Sequence, residues 1–155
     1  MTNRKEIKAR ELRRSESIPY DLLLLADETT AAIDKYIHDG DIYVVEVENK
    51  IIGVYVLYPL NTETVELKNI AVAEAHQNRG IGKLMLADAE MRAKERGFRE
   101  IIVGTPDIAT KQLNFYQKAG FERFAIRKDF FIHNYAQPIY ENGIQLKDMV
   151  MLRKR

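Results

Sequence analysis

Cysteine, tryptophan and long hydrophobic runs are missing from this chain of 155 residues. Without cysteine there is no disulfide framework, no thiolate metal site and no covalent thioester intermediate on an enzyme cysteine. The longest apolar run, residues 22–26, is far too short to span a bilayer, and residues 1–5 lack the apolar stretch of a secretory signal. We therefore expect the protein to be cytoplasmic.

An excess of one charge sign is also missing. The chain has 24 Lys and Arg residues against 23 Asp and Glu residues, which gives a formal net charge of +1. This balance creates no global field that would hold a nucleic acid or an anionic membrane, so we expect neither as a partner. A phosphate-binding site would therefore have to be local.

Motifs for two common kinds of active site are absent as well. His38, His76 and His133 are isolated and share no helix-face spacing, so we expect no metal site. There is no Gly-x-Ser-x-Gly elbow, which disfavours hydrolysis through an acyl-serine.

The composition is that of an ordinary globular domain. Hydrophobic residues make up 46% of the chain and charged residues 30%, close to the globular average. A chain of this length buries about two-thirds of its unfolded surface as one domain and is too short for two. No repeat, low-complexity tract or linker interrupts it. We predict a single domain over residues 1–155.

The hydrophobic pattern predicts a succession of strands and helices. Predicted strands cover residues 7–13, 42–47, 51–58, 64–72, 101–103, 121–132 and 146–152, and predicted helical segments cover residues 22–25, 30–38, 80–96 and 110–119. The short apolar strand 101–103 is of the kind that is buried in a parallel pairing, so the helix before it makes a right-handed crossover. The last two strands form an antiparallel pair. The fold class is therefore mixed α/β (α+β).

The segment Gln77-Asn78-Arg79-Gly80-Ile81-Gly82 lies between a predicted strand and the strongest predicted helix. Its two glycines let the backbone approach a ligand closely, and the free N–H groups of the helix start, with its dipole, favour an anion. Arg79 and Lys83 add two positive charges. On the pattern alone, the glycines are equally well explained as a simple turn from strand to helix.

Two familiar phosphate-binding loops do not match this segment. A dinucleotide fingerprint would need a third Gly or Ala where the chain has Met85. A Walker A loop would need Gly at position 77 and Ser or Thr at position 84, which are Gln77 and Leu84.

Two segments together resemble the GNAT superfamily of acyl-CoA-dependent N-acetyltransferases, in its bacterial type. The Gln-x-x-Gly-x-Gly segment after the strand end Asn-Ile-Ala-Val (69–72) is similar to the family's pyrophosphate loop, and residues 113–121 are similar to its aromatic-Tyr-x-x-x-Gly-Phe stretch. The element order fits over essentially the whole chain. The resemblance implies a GNAT-like mixed, mostly antiparallel twisted sheet with a central β-α-β crossover and flanking helices.

The resemblance also implies a site for acetyl-CoA as co-substrate. Ile70, Ala71 and Val72 would lie along the pantetheine arm, which would add to the sheet edge as an extra strand. The pyrophosphate would be held by Gln77, Asn78, Arg79, Gly80, Ile81, Gly82 and Lys83. Many relatives place an Asn near the start of the next helix to bind the arm. Here Asn114 is a candidate whose spacing differs from that pattern, so the identity of this contact stays open.

Two side chains acquire catalytic roles from the resemblance. Tyr116 corresponds to the tyrosine that protonates the departing coenzyme A thiolate, and a phenol is a competent donor to a thiolate when it is positioned. Glu66 lies where some members keep a general base for the amine. A buried structural tyrosine and a surface glutamate are the alternatives. The absence of cysteine makes direct transfer to a primary amine in a ternary complex the natural mechanism.

Other properties stay open from the sequence. A non-catalytic acyl-CoA-binding or regulatory module would keep the same loop. The amine acceptor is undetermined among a protein N-terminus or lysine, a polyamine, an amino acid and an aminoglycoside. A second apolar stripe on helix 80–96, formed by Leu84, Ala87 and Met91, makes a homodimer a possible assembly.

Overall fold

The structure, a computed structural model, describes residues 7–155. Residues 1–6, which the single-domain prediction included, lie outside this range. The elements in chain order are β1 Ala9–Glu11, α1 Tyr20–Leu23, α2 Thr30–Asp34, β2 Asp41–Val47, β3 Lys50–Pro59, β4 Thr64–Val72, a 3-10 turn at Glu74–His76, α3 Ile81–Glu95, β5 Glu100–Pro106, α4 Thr110–Lys118, β6 Glu122–Arg127, α5 Phe130–His133, β7 Tyr140–Glu141, β8 Ile144–Gln145 and β9 Met149–Lys154.

Seven of the strands form one sheet in the order β1-β2-β3-β4-β5-β9-β6. Every neighbouring pair is antiparallel except β4 and β5, which run parallel and are joined through α3. The predicted mixed, mostly antiparallel sheet with a central β-α-β crossover is therefore confirmed. No helix among residues 7–155 is both long and apolar enough to cross a membrane.

The sheet is covered on both faces, which explains the nearly continuous apolar runs of its central strands. On β2, Tyr43 and Val45 pack against α3 and α4, whereas Val44 points to the opposite face beside α1 and α2. The apolar residues at helical spacing in α3 predict one buried face. The structure buries Met85, Leu86, Ala89 and Ala93 on that face, whereas Gly82 is only half-buried. The sheet thus separates two hydrophobic layers, one on each of its faces.

Strands β4 and β5 separate part-way along their length. Their pairing extends from Thr64 opposite Glu100 to Leu67 opposite Val103 and stops there, although β4 continues to Val72 and β5 to Pro106. The ends of the two strands therefore form a fork. This fork is the central feature of the site described below.

A β-bulge lies on β4 at the start of the fork. Asn69 is opposite Val56 and Leu67 is opposite Leu57, so Lys68 is an extra residue without a partner on β3. A bulge shifts the alternation of side chains by one position. Consequently Leu67 faces the α3 layer and Ala71 faces the α1–α2 layer, although the two residues are four apart.

The C-terminal strands differ from their predicted bounds. The predicted strand 121–132 ends at Arg127, because Asp129 has a left-handed backbone (φ 55°) and starts helix α5. Its backbone N–H donates to the Asp148 carboxylate at 2.9 Å, which stabilises this turn. The predicted strand 146–152 begins only at Met149, although it does pair antiparallel with β6 as predicted.

The small β7–β8 hairpin was not predicted. Asn142 and Gly143, which connect its two strands, both have positive φ, as a two-residue type I′ turn requires. Asn-Gly is a strong local signal for such a turn, so the sequence does carry a signal that predicts this hairpin. Its strands are only two residues long, and they carry too few apolar residues to show alternation.

Candidate active site

A cleft of about 510 Å³ extends from the β4–β5 fork to the start of α3. Its walls come from the end of β4, the loop before α3, the first turn of α3, the end of β5 and helix α4, together with the segment after α1 and Glu141 of β7. We call it the first cleft. The two strands no longer pair beyond Leu67 and Val103, so the strand edges that face each other there are not bonded to one another.

The loop before α3 has the backbone geometry that the glycine pattern predicts. Asn78 and Gly80 have φ angles of 63° and 81°, and no side chain caps the helix. The first intrahelical bond runs from the N–H of Leu84 to the Gly80 carbonyl, so the preceding N–H groups have no partner within the helix. These groups and the helix dipole make the start of α3 a site for an anion.

Two further contacts shape this end of the cleft. The Gln77 side-chain Nε2 donates to the Val72 carbonyl at 2.9 Å, which ties the loop to the end of β4. A Cβ added to Gly82 would have the Phe115 ring as its nearest neighbour, at 3.9 Å, so the backbone at Gly82 is open towards the first cleft. Lys83 lines the cleft beside it.

The end of β4 presents a free strand edge to the first cleft. Ile70, Ala71 and Val72 line the cleft and pair with β3 on one side only, because β5 has already separated. Their backbone groups on the other side can therefore pair with an extended ligand. Ile70 and Val72 are half-buried and Ala71 is buried, so these residues also belong to the core.

Tyr116 is held in α4 at the wall of the first cleft. Its ring makes edge contacts with Phe115 and Phe121, with ring centroids 5.2 and 5.7 Å apart. The side chain is 6% exposed, and burial raises the pKa of its hydroxyl above the ordinary value. The phenol is therefore fully protonated at neutral pH.

Glu66 lies on β4 at a second cleft of about 360 Å³, and it does not line the first. Its carboxylate is 4% exposed and forms ion pairs with Lys68 at 3.4 Å and Arg127 at 3.8 Å. Phe130 and Phe131 of α5 also line the second cleft. Glu66 and Tyr116 therefore lie in adjacent clefts.

The two clefts meet at the fork. Six residues border both of them: Ala26, Glu28, Leu67, Lys68, Gly104 and Pro106. The bulged Lys68 and the side-chain-free Gly104 therefore lie on opposite strands of the same opening. The two clefts therefore share part of their lining at the fork.

Two predicted cofactor residues do not line the first cleft. Arg79 is absent from its walls, and Asn114 is on the exposed side of α4. Helix geometry explains Asn114, because two residues correspond to about 200° of rotation from Tyr116. Gln112, four residues before Tyr116, shares its face and lines the cleft. That spacing is the signal in the sequence that would have selected Gln112.

Two buried polar residues of the site were not anticipated. Asn69 and Thr105 each lie two positions beyond the last paired residue of β4 and β5, each is 3% exposed, and both line the first cleft. The Asn69 Oδ1 and Thr105 Oγ1 atoms have no hydrogen-bond partner within residues 7–155. Buried polar atoms are normally paired, so these two atoms fit a ligand with amide or ammonium groups.

A strand edge that continues into an open helix start defines a site for a long, amide-containing molecule that ends in phosphates. Acyl-CoA is such a molecule, and the orphaned Thr105 hydroxyl and the open backbone at Gly82 fit its arm and its pyrophosphate. The class of protein that the fold and the site define is therefore one that binds acyl-CoA. Within residues 7–155, no group of three His, Asp or Glu side chains could hold a metal ion.

Comparison with known proteins identifies the family. The model of the acetyltransferase (GNAT) family matches residues 8–121. The chain is 45% identical over 133 residues to the N-acetyltransferase YvbK of Bacillus subtilis (strain 168), covering 86% of each chain. The protein belongs to the GNAT acetyltransferase family.

Solved structures of similar proteins contain acetyl-CoA or CoA. A GNAT family acetyltransferase from Elizabethkingia anophelis with acetyl-CoA bound has a TM-score of 0.92 at 47% identity, covering 97% of this chain and 98% of that one. A Bacillus subtilis acetyltransferase in complex with CoA has a TM-score of 0.86 at 40% identity, covering 96% and 97%. The predictions of an acetyl-CoA-dependent N-acetyltransferase and of acetyl-CoA as co-substrate are confirmed.

Proposed function

We propose that the protein transfers an acetyl group directly from acetyl-CoA to a primary amine, with both substrates bound at once. The β4–β5 fork is the observation that carries this proposal. It lets the first cleft, which fits acetyl-CoA, open into a second cleft where an acceptor can bind. Since the chain has no cysteine, no acetyl-cysteine intermediate is available.

The first cleft suggests how acetyl-CoA is held. The backbone of Ile70, Ala71 and Val72 would pair with the pantetheine arm along the free edge of β4. The pyrophosphate would lie against the free N–H groups at the start of α3, among Gln77, Asn78, Gly80, Ile81, Gly82 and Lys83. In place of Asn114, the geometry favours Gln112 and Thr105 as the side chains beside the arm.

Tyr116 is the proposed proton donor to the departing thiolate. The raised pKa of its hydroxyl keeps the proton in place until a strong base forms nearby. Glu66 stays the proposed base for the amine, and its ion pairs with Lys68 and Arg127 fix the carboxylate at the wall of the second cleft.

Initial-rate kinetics with both substrates varied test the mechanism. Direct transfer predicts double-reciprocal lines that intersect, because both substrates must be bound before chemistry. Parallel lines would indicate a covalent acetyl-enzyme and contradict the proposal. The alternative, a non-catalytic acyl-CoA-binding module, predicts acetyl-CoA binding by calorimetry without release of CoA thiol in the presence of any primary amine.

A homodimer is also proposed, through the stripe of Leu84, Ala87 and Met91 on α3. Its support is the exposure of Ala87 and Met91, the latter at 48%, on a helix whose other face is buried. Sedimentation equilibrium measures the assembly, and the change Met91→Lys should shift a dimer towards the monomer. A wild-type monomer at all concentrations would exclude the dimer.

A further inference from the structure

Two carboxylates without partners line the first cleft, away from the pyrophosphate loop. Glu28 lies in the segment between α1 and α2, and Glu141 lies on β7. Glu28 also borders the second cleft and therefore lies at the junction of the two. The loop before α3 borders the first cleft only.

The charges of these two residues are not compensated by the protein. Within residues 7–155, the Glu28 and Glu141 carboxylates have no ion pair and accept no hydrogen bond, whereas Glu66 has two ion pairs. Asp27, next to Glu28, accepts hydrogen bonds from Tyr36 and Tyr135 at 3.1 and 2.8 Å. Partial desolvation and then the negative charges of Glu141 and Asp27 raise the pKa of Glu28.

An independent observation in the same cleft also points to a hydrogen-bond donor as ligand. The Asn69 amide nitrogen donates to the Leu23 carbonyl at 3.0 Å and to the Tyr36 hydroxyl at 3.1 Å, which fixes the amide against the two residues that flank the segment with Glu28 in the sequence. Its Oδ1 atom is buried, has no partner in the described chain, and can only accept. The unused groups are therefore two carboxylates and an amide oxygen.

The charges along the first cleft are separated. His76 and Lys83 flank the glycine loop before α3 in the sequence, whereas Glu28 borders both clefts, and partial desolvation and the negative charge of Glu141 raise its pKa. Lys111 lines the first cleft from α4. Lys68, the one cation that borders both clefts, is engaged by Glu66 at 3.4 Å. This distribution suits a polyanion at one part of the cleft and a cation at the other.

We propose that Glu28 and Glu141 bind the acceptor as an alkylammonium ion at the junction of the two clefts, with the Asn69 side-chain oxygen as a further acceptor. An ammonium group supplies three N–H donors and the positive charge that the carboxylates lack. The acceptor class is a primary aliphatic amine with no carboxylate beside the amine, since a carboxylate there would meet two like charges. This inference rests on the proposed acetyl transfer and specifies its substrate.

A panel of amines at pH 7.5 tests the class. Phenethylamine is cationic at this pH, phenylalanine is the same molecule with an added carboxylate, and aniline is an uncharged aromatic amine. Release of CoA thiol is measured for each with wild-type protein. We expect phenethylamine to be acetylated with a kcat/KM at least tenfold above that of phenylalanine and of aniline.

Substitutions test the residues. Glu28→Gln should raise the KM for phenethylamine about 10–100-fold, the range expected for losing a hydrogen bond to a charged group, and Glu141→Gln should act in the same direction. The affinity for acetyl-CoA, measured by calorimetry, should change less than twofold. Glu95→Gln is the matched control, because Glu95 is exposed at the end of α3 and lines neither cleft.

The outcomes separate this inference from the proposed function. If phenylalanine or aniline is acetylated as well as phenethylamine, or if the KM is unchanged in Glu28→Gln and Glu141→Gln, the ammonium site is wrong and acetyl transfer stands. If no amine in a wider panel is acetylated although acetyl-CoA binds, the proposed function fails and the inference fails with it. The wild-type panel keeps the test valid even if one variant does not fold.

Discussion

At the scale of single residues, the site combines side chains whose roles depend on where burial places them. Tyr116 is packed between two aromatic rings and is one of the residues that line the first cleft. Packing alone would explain the ring, whereas a chemical role requires the hydroxyl. Removing only the hydroxyl therefore separates the two roles.

The change Tyr116→Phe should lower kcat by about 10²–10⁴-fold with acetyl-CoA affinity nearly preserved, because the proton donor is lost and the ring stays. Stability should fall by no more than about 1.5 kcal/mol. Steady-state kinetics, calorimetry and denaturant unfolding measure the three quantities. A near wild-type kcat with rate-limiting chemistry would show that the thiolate takes its proton elsewhere.

The pH dependence of kcat follows from the direction of the Tyr116 shift. Burial raises the pKa of the phenol above its ordinary value of about 10. The acidic form that donates the proton is present below the raised pKa and is lost only above it. With both substrates saturating, kcat should therefore not decline between pH 7 and about 9.5. A decline in this range that disappears in Tyr116→Phe would contradict the assignment.

At the scale of elements, α3 serves as a packing helix and as an anion site. Its buried face holds the central sheet, and its first turn faces the cleft. The two functions occupy different residues, so they can be altered separately.

The change Gly82→Asp should weaken acetyl-CoA binding at least tenfold, because it places a carboxylate where the phosphates lie. Gly82→Ala is the matched control and should have a smaller effect, since its Cβ would be 3.9 Å from its nearest neighbour, the Phe115 ring. Aspartate in a first helical turn favours the helix, so folding should be preserved. Calorimetry measures the affinity, and equal affinity for Gly82→Asp and wild type would refute the loop assignment.

The change Leu86→Ala should destabilise the fold by about 2–5 kcal/mol, because Leu86 is 1% exposed in the layer between α3 and the sheet. Lys94→Ala on the same helix should cost about 0.5 kcal/mol or less, because Lys94 is exposed. Urea denaturation with both variants gives the two free energies. Equal losses would mean that the buried face of α3 is assigned wrongly.

At the scale of the whole molecule, the first cleft is built from β4, β5, α3, α4, the loop before α3, the segment between α1 and α2, and β7, which are distant in the sequence. A ligand that contacts all of them binds only the folded protein and stabilises it. Acetyl-CoA at 100 times its dissociation constant should add about 2.7 kcal/mol and raise the Tm by about 5–10 °C. Thermal scans with acetyl-CoA and with acetate as control check this, and an equal shift with acetate would contradict it.

Local patterns in the sequence determined the elements whose signals are short-range. The β2–β3 hairpin follows from two apolar runs and a two-residue turn, Glu48-Asn49, in which both residues have positive φ. Helix α3 follows from its spacing of apolar residues and the left-handed Gly97 after its end. The proposed pyrophosphate loop and the proposed role of Tyr116 came from the resemblance to a family. Each of these signals lies within about twenty consecutive residues.

Contacts between distant segments were decided only by the tertiary structure. The extra residue Lys68 on β4, the fork beyond Leu67, and the insertion of β9 between β5 and β6 all depend on pairing between strands far apart in the chain. A strand pattern shows which residues alternate but not which partner a strand meets or where pairing ends. Glu28 and Glu141 face one cleft for the same reason, since 113 positions separate them in the sequence and the fold brings both to its wall.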